Sequence, residues 1–115
     1  MFDIKQKDDI VVVKPEFNFD IENLEKVRNL RDELEIFISG IENPVVLINF
    51  ENVSYVDSTG LGNIIRMFEM VRKKKGKFSV CNLNVDVEKI FKITTLDSVI
   101  EIFSTESDAL NSLRS

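Results

Sequence analysis

Val45-Val46-Leu47-Ile48-Asn49-Phe50, the connection Glu51 to Val56, and then Asp57-Ser58-Thr59-Gly60-Leu61-Gly62 form the passage that decides the fold. The first six residues are a short, β-branched, apolar run without alternation. That is the pattern of a strand covered on both faces. After the connection, apolar residues recur by threes and fours at Leu61, Ile64, Ile65, Phe68 and Val71. This spacing predicts a helix from Thr59 to about Lys75, ended by Gly76. A covered strand that hands the chain to a helix is the repeating unit of an α/β sheet. The join puts Ser58 at the N-cap, beside the amides of Thr59, Gly60 and Leu61. Amides in a first turn lack intrahelical acceptors, and the helix dipole is positive there, so the place suits an anion. A hydroxyl in that place either caps the helix or is made into a phosphate.

Working outward, the same signals repeat. Phe2 to Lys7 and Ile10 to Lys14 read as two short strands meeting at Asp8-Asp9, with Pro15 ending the second. Ile21 to about Ser39 reads as a helix with Leu24, Val27, Leu30, Leu34, Phe37, Ile38 and Ile41 on its apolar side. Asp20 caps its start and Gly40 its end. Lys77 to Leu83 is a strand. Val85 to Ile93 is a short helix with Val87, Ile90 and Phe91 inward. Val99 to Phe103 is a last strand, and Ser104 or Thr105 caps a final helix through Leu113. The order ββαβαβαβα predicts one α/β domain over 1–115, with a mixed sheet of four to five strands and about four helices.

Composition narrows the function. The 115 residues carry a net charge of −5, which argues against a general nucleic-acid binder. There is no histidine and one cysteine, Cys81, so Ser-His-Asp and Cys-His catalytic sets are excluded, as are histidine and multi-thiolate zinc sites. Gly60-x-Gly62 is followed by Ile65 where a dinucleotide fingerprint needs its third glycine, and no Gly-Lys-Ser/Thr phosphate loop is present. No cofactor is expected. Met1-Phe2-Asp3-Ile4-Lys5 lacks the apolar core of a signal peptide, and no run approaches the ~20 apolar residues of a membrane span. These readings predict a cytoplasmic protein with no membrane insertion. Arg72-Lys73-Lys74-Lys75 with Lys77 reads as cations offsetting a helix C-terminus, and Cys81 as a small core residue.

Around Ser58, each residue has two readings. Asp57 either orients the hydroxyl or serves a kinase reaction on it, or it only compensates the helix N-terminus. Thr59 is a second hydroxyl or simply the first helical residue. Gly60 and Gly62 either let another backbone approach or let the helix pack tightly. Asn63, Arg66 and Met67 are assigned to the polar side of the helix, Met67 near the border of the apolar stripe, where they touch a partner or face solvent.

Val53-Ser54-Tyr55-Val56-Asp57-Ser58-Thr59-Gly60-Leu61-Gly62 resembles the signature of STAS domains, in particular bacterial anti-sigma factor antagonists. The ending Ile100-Glu101-Ile102-Phe103-Ser104-Thr105-Glu106-Ser107-Asp108-Ala109-Leu110 matches the family's layout, so the likeness runs through nearly the whole chain. Pro15-Glu16-Phe17-Asn18 stands where the family tends to have Gly-x-hydrophobic-Asp, and Thr95 stands where a glycine is common. The resemblance implies a phospho-switch at Ser58. It implies a partner that is both an anti-sigma factor and a serine kinase, bound when Ser58 is unmodified and released when it is phosphorylated. A phosphatase resets the switch. Leu61 and Asn18 join the implied contact residues. Two rivals remain: a STAS scaffold or accessory subunit, for instance of a lipid-transport system, and a small enzyme using Asp57 or a lysine.

Overall fold

The structure, a computed structural model, describes residues 1–114. Strands β1 (Phe2–Lys7), β2 (Ile10–Pro15), β3 (Val45–Asn49), β4 (Lys77–Cys81) and β5 (Glu101–Phe103) form one sheet in that spatial order. β1 and β2 are antiparallel and joined by a tight turn; the other three pairings are parallel. Helices α1 (Leu24–Ile38), α2 (Ser58–Lys73) and α3 (Val85–Ile93) make the crossovers, and α4 (Glu106–Leu113) follows β5. Each crossover steps one strand in the same direction. The right-handed rule for such units therefore puts α1, α2 and α3 on one face.

The strand side chains alternate accordingly. Val11, Val13, Val46, Ile48, Phe78 and Val80 pack with the three crossover helices in the main core. Ile10, Val12, Leu47 and Cys81 point the other way, onto Ala109 and Leu110 of α4. Burial pushes the Cys81 thiol up to about 12, so it stays a neutral core group. Thr105 caps α4 by accepting from the Asp108 amide at 3.1 Å. The Glu106 carboxylate ties α4 to the sheet, accepting from Lys7 Nζ at 2.9 Å and Asn49 Nδ2 at 2.8 Å. Those bonds, Lys7 first, hold its carboxyl below the ordinary range.

Element boundaries differ from expectation where capping chemistry differs. The 3-10 turn Ile21–Asn23, capped by Asp20, precedes α1. Gly40 does not close α1; Ser39 is its C-cap, and no glycine has a positive φ. At the end of α2, Lys75 takes the left-handed conformation at φ 57° instead of Gly76. Gly76 is needed for closeness: a Cβ there would sit 2.9 Å from Pro44 Cδ and overlap the Pro44 carbonyl. The last strand starts at Glu101 instead of Val99, because the 3-10 turn Leu96–Ser98 occupies the approach.

Thr95 explains the missing glycine at a cost. It sits at φ 59°, ψ 18°, a left-handed conformation that crowds a β-branched side chain. That strain costs about 1–2 kcal/mol, and a glycine gives back about 0.5–1 kcal/mol through its unfolded-state freedom. Thr95→Gly is therefore expected to stabilise the protein by about 0.5–1 kcal/mol in urea unfolding. A loss of stability would show instead that the bond from Thr95 Oγ1 to the Thr94 carbonyl, at 2.6 Å, holds the turn.

Candidate functional site

The loops that follow β2, β3 and β4 all emerge at the carboxyl edge of the parallel strands, and there they are tied into one surface. Phe19 and Val56 form an isolated parallel bridge. The Phe19 amide donates to the Tyr55 carbonyl, and the Asp57 amide donates to the Phe19 carbonyl, both at 3.0 Å. Asn18 Oδ1 accepts from the Ser54 amide at 2.9 Å, the Ser54 hydroxyl at 3.1 Å and the Tyr55 amide at 3.2 Å. Asn84 caps α3 by accepting from the Val87 amide, while its Nδ2 donates to the Ser54 carbonyl at 3.0 Å. Two asparagines thus clamp the turn that leads to Ser58.

Asp57, not Ser58, is the N-cap of α2. Its Oδ1 accepts from the Gly60 amide at 2.9 Å and its Oδ2 from the Ile21 amide at 2.8 Å. The carboxylate therefore fastens the start of α2 to the β2–α1 loop. Both oxygens are engaged by backbone amides, so the carboxylate compensates the helix end. Ser58 becomes the first helical residue. Its side chain is exposed, and its hydroxyl has no hydrogen-bond partner among the described residues. The amides of Ser58 and Thr59 are first-turn donors without intrahelical acceptors. A free hydroxyl thus stands on a rigid, electropositive helix end.

A family model described as STAS domain matches residues 1–109. The chain belongs to the STAS-domain family. Over 115 residues this STAS domain is 30% identical to a Thermotoga maritima protein provisionally named an anti-sigma factor antagonist, covering 99% of this chain and 98% of that one. A crystal structure from T. maritima under the same description superposes with a TM-score of 0.86 at 28% identity, covering 99% of this chain and 95% of that one. A Bacillus subtilis anti-sigma-B factor antagonist is 42% identical over 55 residues, 48% of this chain and 50% of that protein. The anti-sigma factor antagonist SpoIIAA, solved in its unphosphorylated form, shares the fold with a TM-score of 0.71 at 19% identity, covering 100% of this chain and 99% of that one. SpoIIAA has also been solved in its phosphorylated form.

Within this STAS domain the residues singled out from sequence separate into three groups. Ser58 and Arg66 are exposed, and Asn18, Asp57, Thr59, Leu61 and Gly62 are half-buried at the same end of the molecule or along α2. Gly60 is buried, and the backbone that approaches it is the chain's own, the Phe19 carbonyl. Asn63 and Met67 are buried, which corrects their assignment to the polar face. The buried stripe of α2 is Gly60, Asn63, Ile64, Met67 and Val71. It is rotated from the expected one because a glycine and an asparagine occupy core-facing places that hydrophobicity cannot mark. Asn63 satisfies its burial by donating to the Thr59 carbonyl and accepting from Arg31 Nη1 at 2.8 Å. The rotation leaves Leu61 and Ile65 only half-buried.

Sequence reasoning missed Ile21, Tyr55, Asn84 and Val85. Ile21 is 61% exposed, Tyr55 55% and Val85 68%, one large apolar side chain on each of the three tied loops. Asn84 was detectable as an N-cap before an apolar-periodic run. The others carry no local signal, since only the tertiary fold brings the loops together.

The role of Asn18 predicts its own test. Only its oxygen is used, so Asn18→Asp keeps every bond and is expected to unfold within about 1 kcal/mol of wild type. Asn18→Ala leaves two amides and a hydroxyl unserved and is expected to cost about 1–3 kcal/mol. Urea unfolding of the pair decides it: equal loss in both would mean that the amide nitrogen matters.

Proposed function

We propose that this STAS domain is an anti-sigma factor antagonist switched by phosphorylation of Ser58. The unmodified form binds an anti-sigma factor that is also a serine kinase, and the phosphorylated form releases it. A phosphatase restores the hydroxyl, and the cycle runs in the cytoplasm. The observation that carries this reading is the exposed, unpartnered Ser58 hydroxyl on the first turn of α2. Modifying it breaks no internal bond, so the signal goes to the surface and leaves the fold in place. A phosphate adds about −1.5 to −2 charges beside Asp57. The helix end tolerates it, while a partner surface fitted to a neutral serine does not.

The surroundings support a protein partner. Ile21, Tyr55 and Val85 leave large exposed side chains on the three tied loops, and exposed apolar and aromatic surface suits a macromolecular contact. The phosphoryl chemistry belongs to the kinase and its ATP, and this chain is the substrate and ligand. Relatives named as antagonists at 30% identity over nearly the full length support the same assignment.

Intact mass with site mapping on protein isolated from its own cells, in growth and under stress, tests the reading. The expected result is a condition-dependent phosphate on Ser58. A Ser58 left unmodified in every condition would overturn the switch and favour a constitutive scaffold.

A further inference from the structure

Of the sheet's two edge strands, β5 is three residues long and β1 is six. Among the described residues, β1 has β2 on one side and no strand on the other. In an antiparallel ladder only alternate residues of a strand bond a given neighbour. The Glu16 amide donates to the Met1 carbonyl at 2.9 Å, so the register of β1 on β2 makes Met1, Asp3, Lys5 and Lys7 the residues that bond inward. Pro15, opposite Phe2, has no amide to give, in keeping with this. Phe2, Ile4 and Gln6 therefore turn their amides and carbonyls away from the sheet, as a template for another strand.

The residues around Ile4 select that strand. A second β1, laid antiparallel with Ile4 opposite Ile4, sets Phe2 opposite Gln6 on both sides of the axis. Every outward amide and carbonyl of Phe2, Ile4 and Gln6 then meets a partner. The same register sets Asp3 opposite Lys5 of the second copy, twice by symmetry, and both side chains are exposed. Moving the axis one residue either way puts Lys5 against Lys5 or Asp3 against Asp3. Like charges directly opposite destabilise a strand pair, so the charges reject both neighbouring registers. We propose that two copies of this chain pair through β1 about a two-fold axis at Ile4, making one continuous sheet. Ile4, half-buried against the main core, packs beside its twin. The contact is self-complementary, so it closes at two copies instead of propagating. The paired sheets run in opposite directions, so the two Ser58 ends face away from each other and the switch stays accessible.

Sedimentation of the full chain over a concentration series up to about 1 mM tests this. A reversible monomer–dimer equilibrium is expected. Asp3→Lys and Lys5→Asp each turn both cross-strand pairs repulsive, so each variant alone is expected to dimerise about tenfold more weakly or worse. A 1:1 mixture of the two restores opposite charges at both pairs and is expected to form a heterodimer. The double variant Asp3→Lys/Lys5→Asp is expected to regain its homodimer. Recovery on mixing also shows that neither single variant has lost its fold. A monomer at every concentration would overturn the proposal, as would dimerisation that neither single change weakens. So would a mixture that stays as weak as its components.

Discussion

Ser58→Asp is expected to bind the proposed partner kinase at least tenfold more weakly than wild type, and Ser58→Ala to bind as well as wild type. The hydroxyl has no partner to lose, so alanine leaves Asp57, Asn18 and the tied loops as they are. Alanine also suits a helix interior. Aspartate at the first position of α2 gains about 0.3–1 kcal/mol from the helix end, so this variant stays folded too. The difference between the two therefore reports on the interface alone. An unpaired charge in a close contact costs about 1–3 kcal/mol or more, and each 1.4 kcal/mol is about tenfold in affinity. The phosphoserine form, with greater charge and bulk, is expected to bind more weakly than Ser58→Asp. Titration calorimetry with the purified kinase measures all three. Equal affinities for wild type and both variants would remove the mechanism, whatever the family resemblance.

What the sequence disclosed and what it hid have the same physical origin. Buried strands and amphipathic helices write period and composition into the chain, so all five strands and four helices were legible, α3 to the residue. Helix ends were less legible, because capping depends on which neighbour reaches the free amides. Asp57 and Ser58 are both good caps, and only the demand of the Ile21 amide for an acceptor makes Asp57 the cap. The face of α2 was misread for a related reason. Asn63 is a core residue because Arg31, 32 positions away, reaches it. The signature around Ser58 located the site, while its exposed apolar side chains were invisible until three loops met. At Asn18 the internal bonds require an oxygen and no charge, so the asparagine supports the loop as an aspartate would.

Gly60→Ala is expected to destabilise the domain by about 3 kcal/mol or more, while Gly62→Ala, two residues on in the same helix, is expected to stabilise it by up to about 1 kcal/mol. Helix propensity favours both changes equally, by about 1 kcal/mol. The difference lies in what each missing Cβ would meet. At Gly62 there is nothing within 4 Å. At Gly60 a Cβ would lie 2.7 Å from Phe19 Cβ and overlap the Phe19 carbonyl. Phe19 cannot retreat. It is fully buried, with ring centroids 5.9 Å from Phe17 and 5.5 Å from Phe50, and its carbonyl accepts the Asp57 amide. Relief would have to move α2 away, breaking the ties that hold Ser58 in place, which puts the cost at or above the usual 1–3 kcal/mol for overpacking. Urea unfolding gives both values, and a stable Gly60→Ala would disprove the close approach. Gly62→Ala then separates structure from recognition. It occupies open space on the surface that leads away from Ser58, so any loss of kinase affinity in this more stable variant reports the partner's own approach to the α2 backbone.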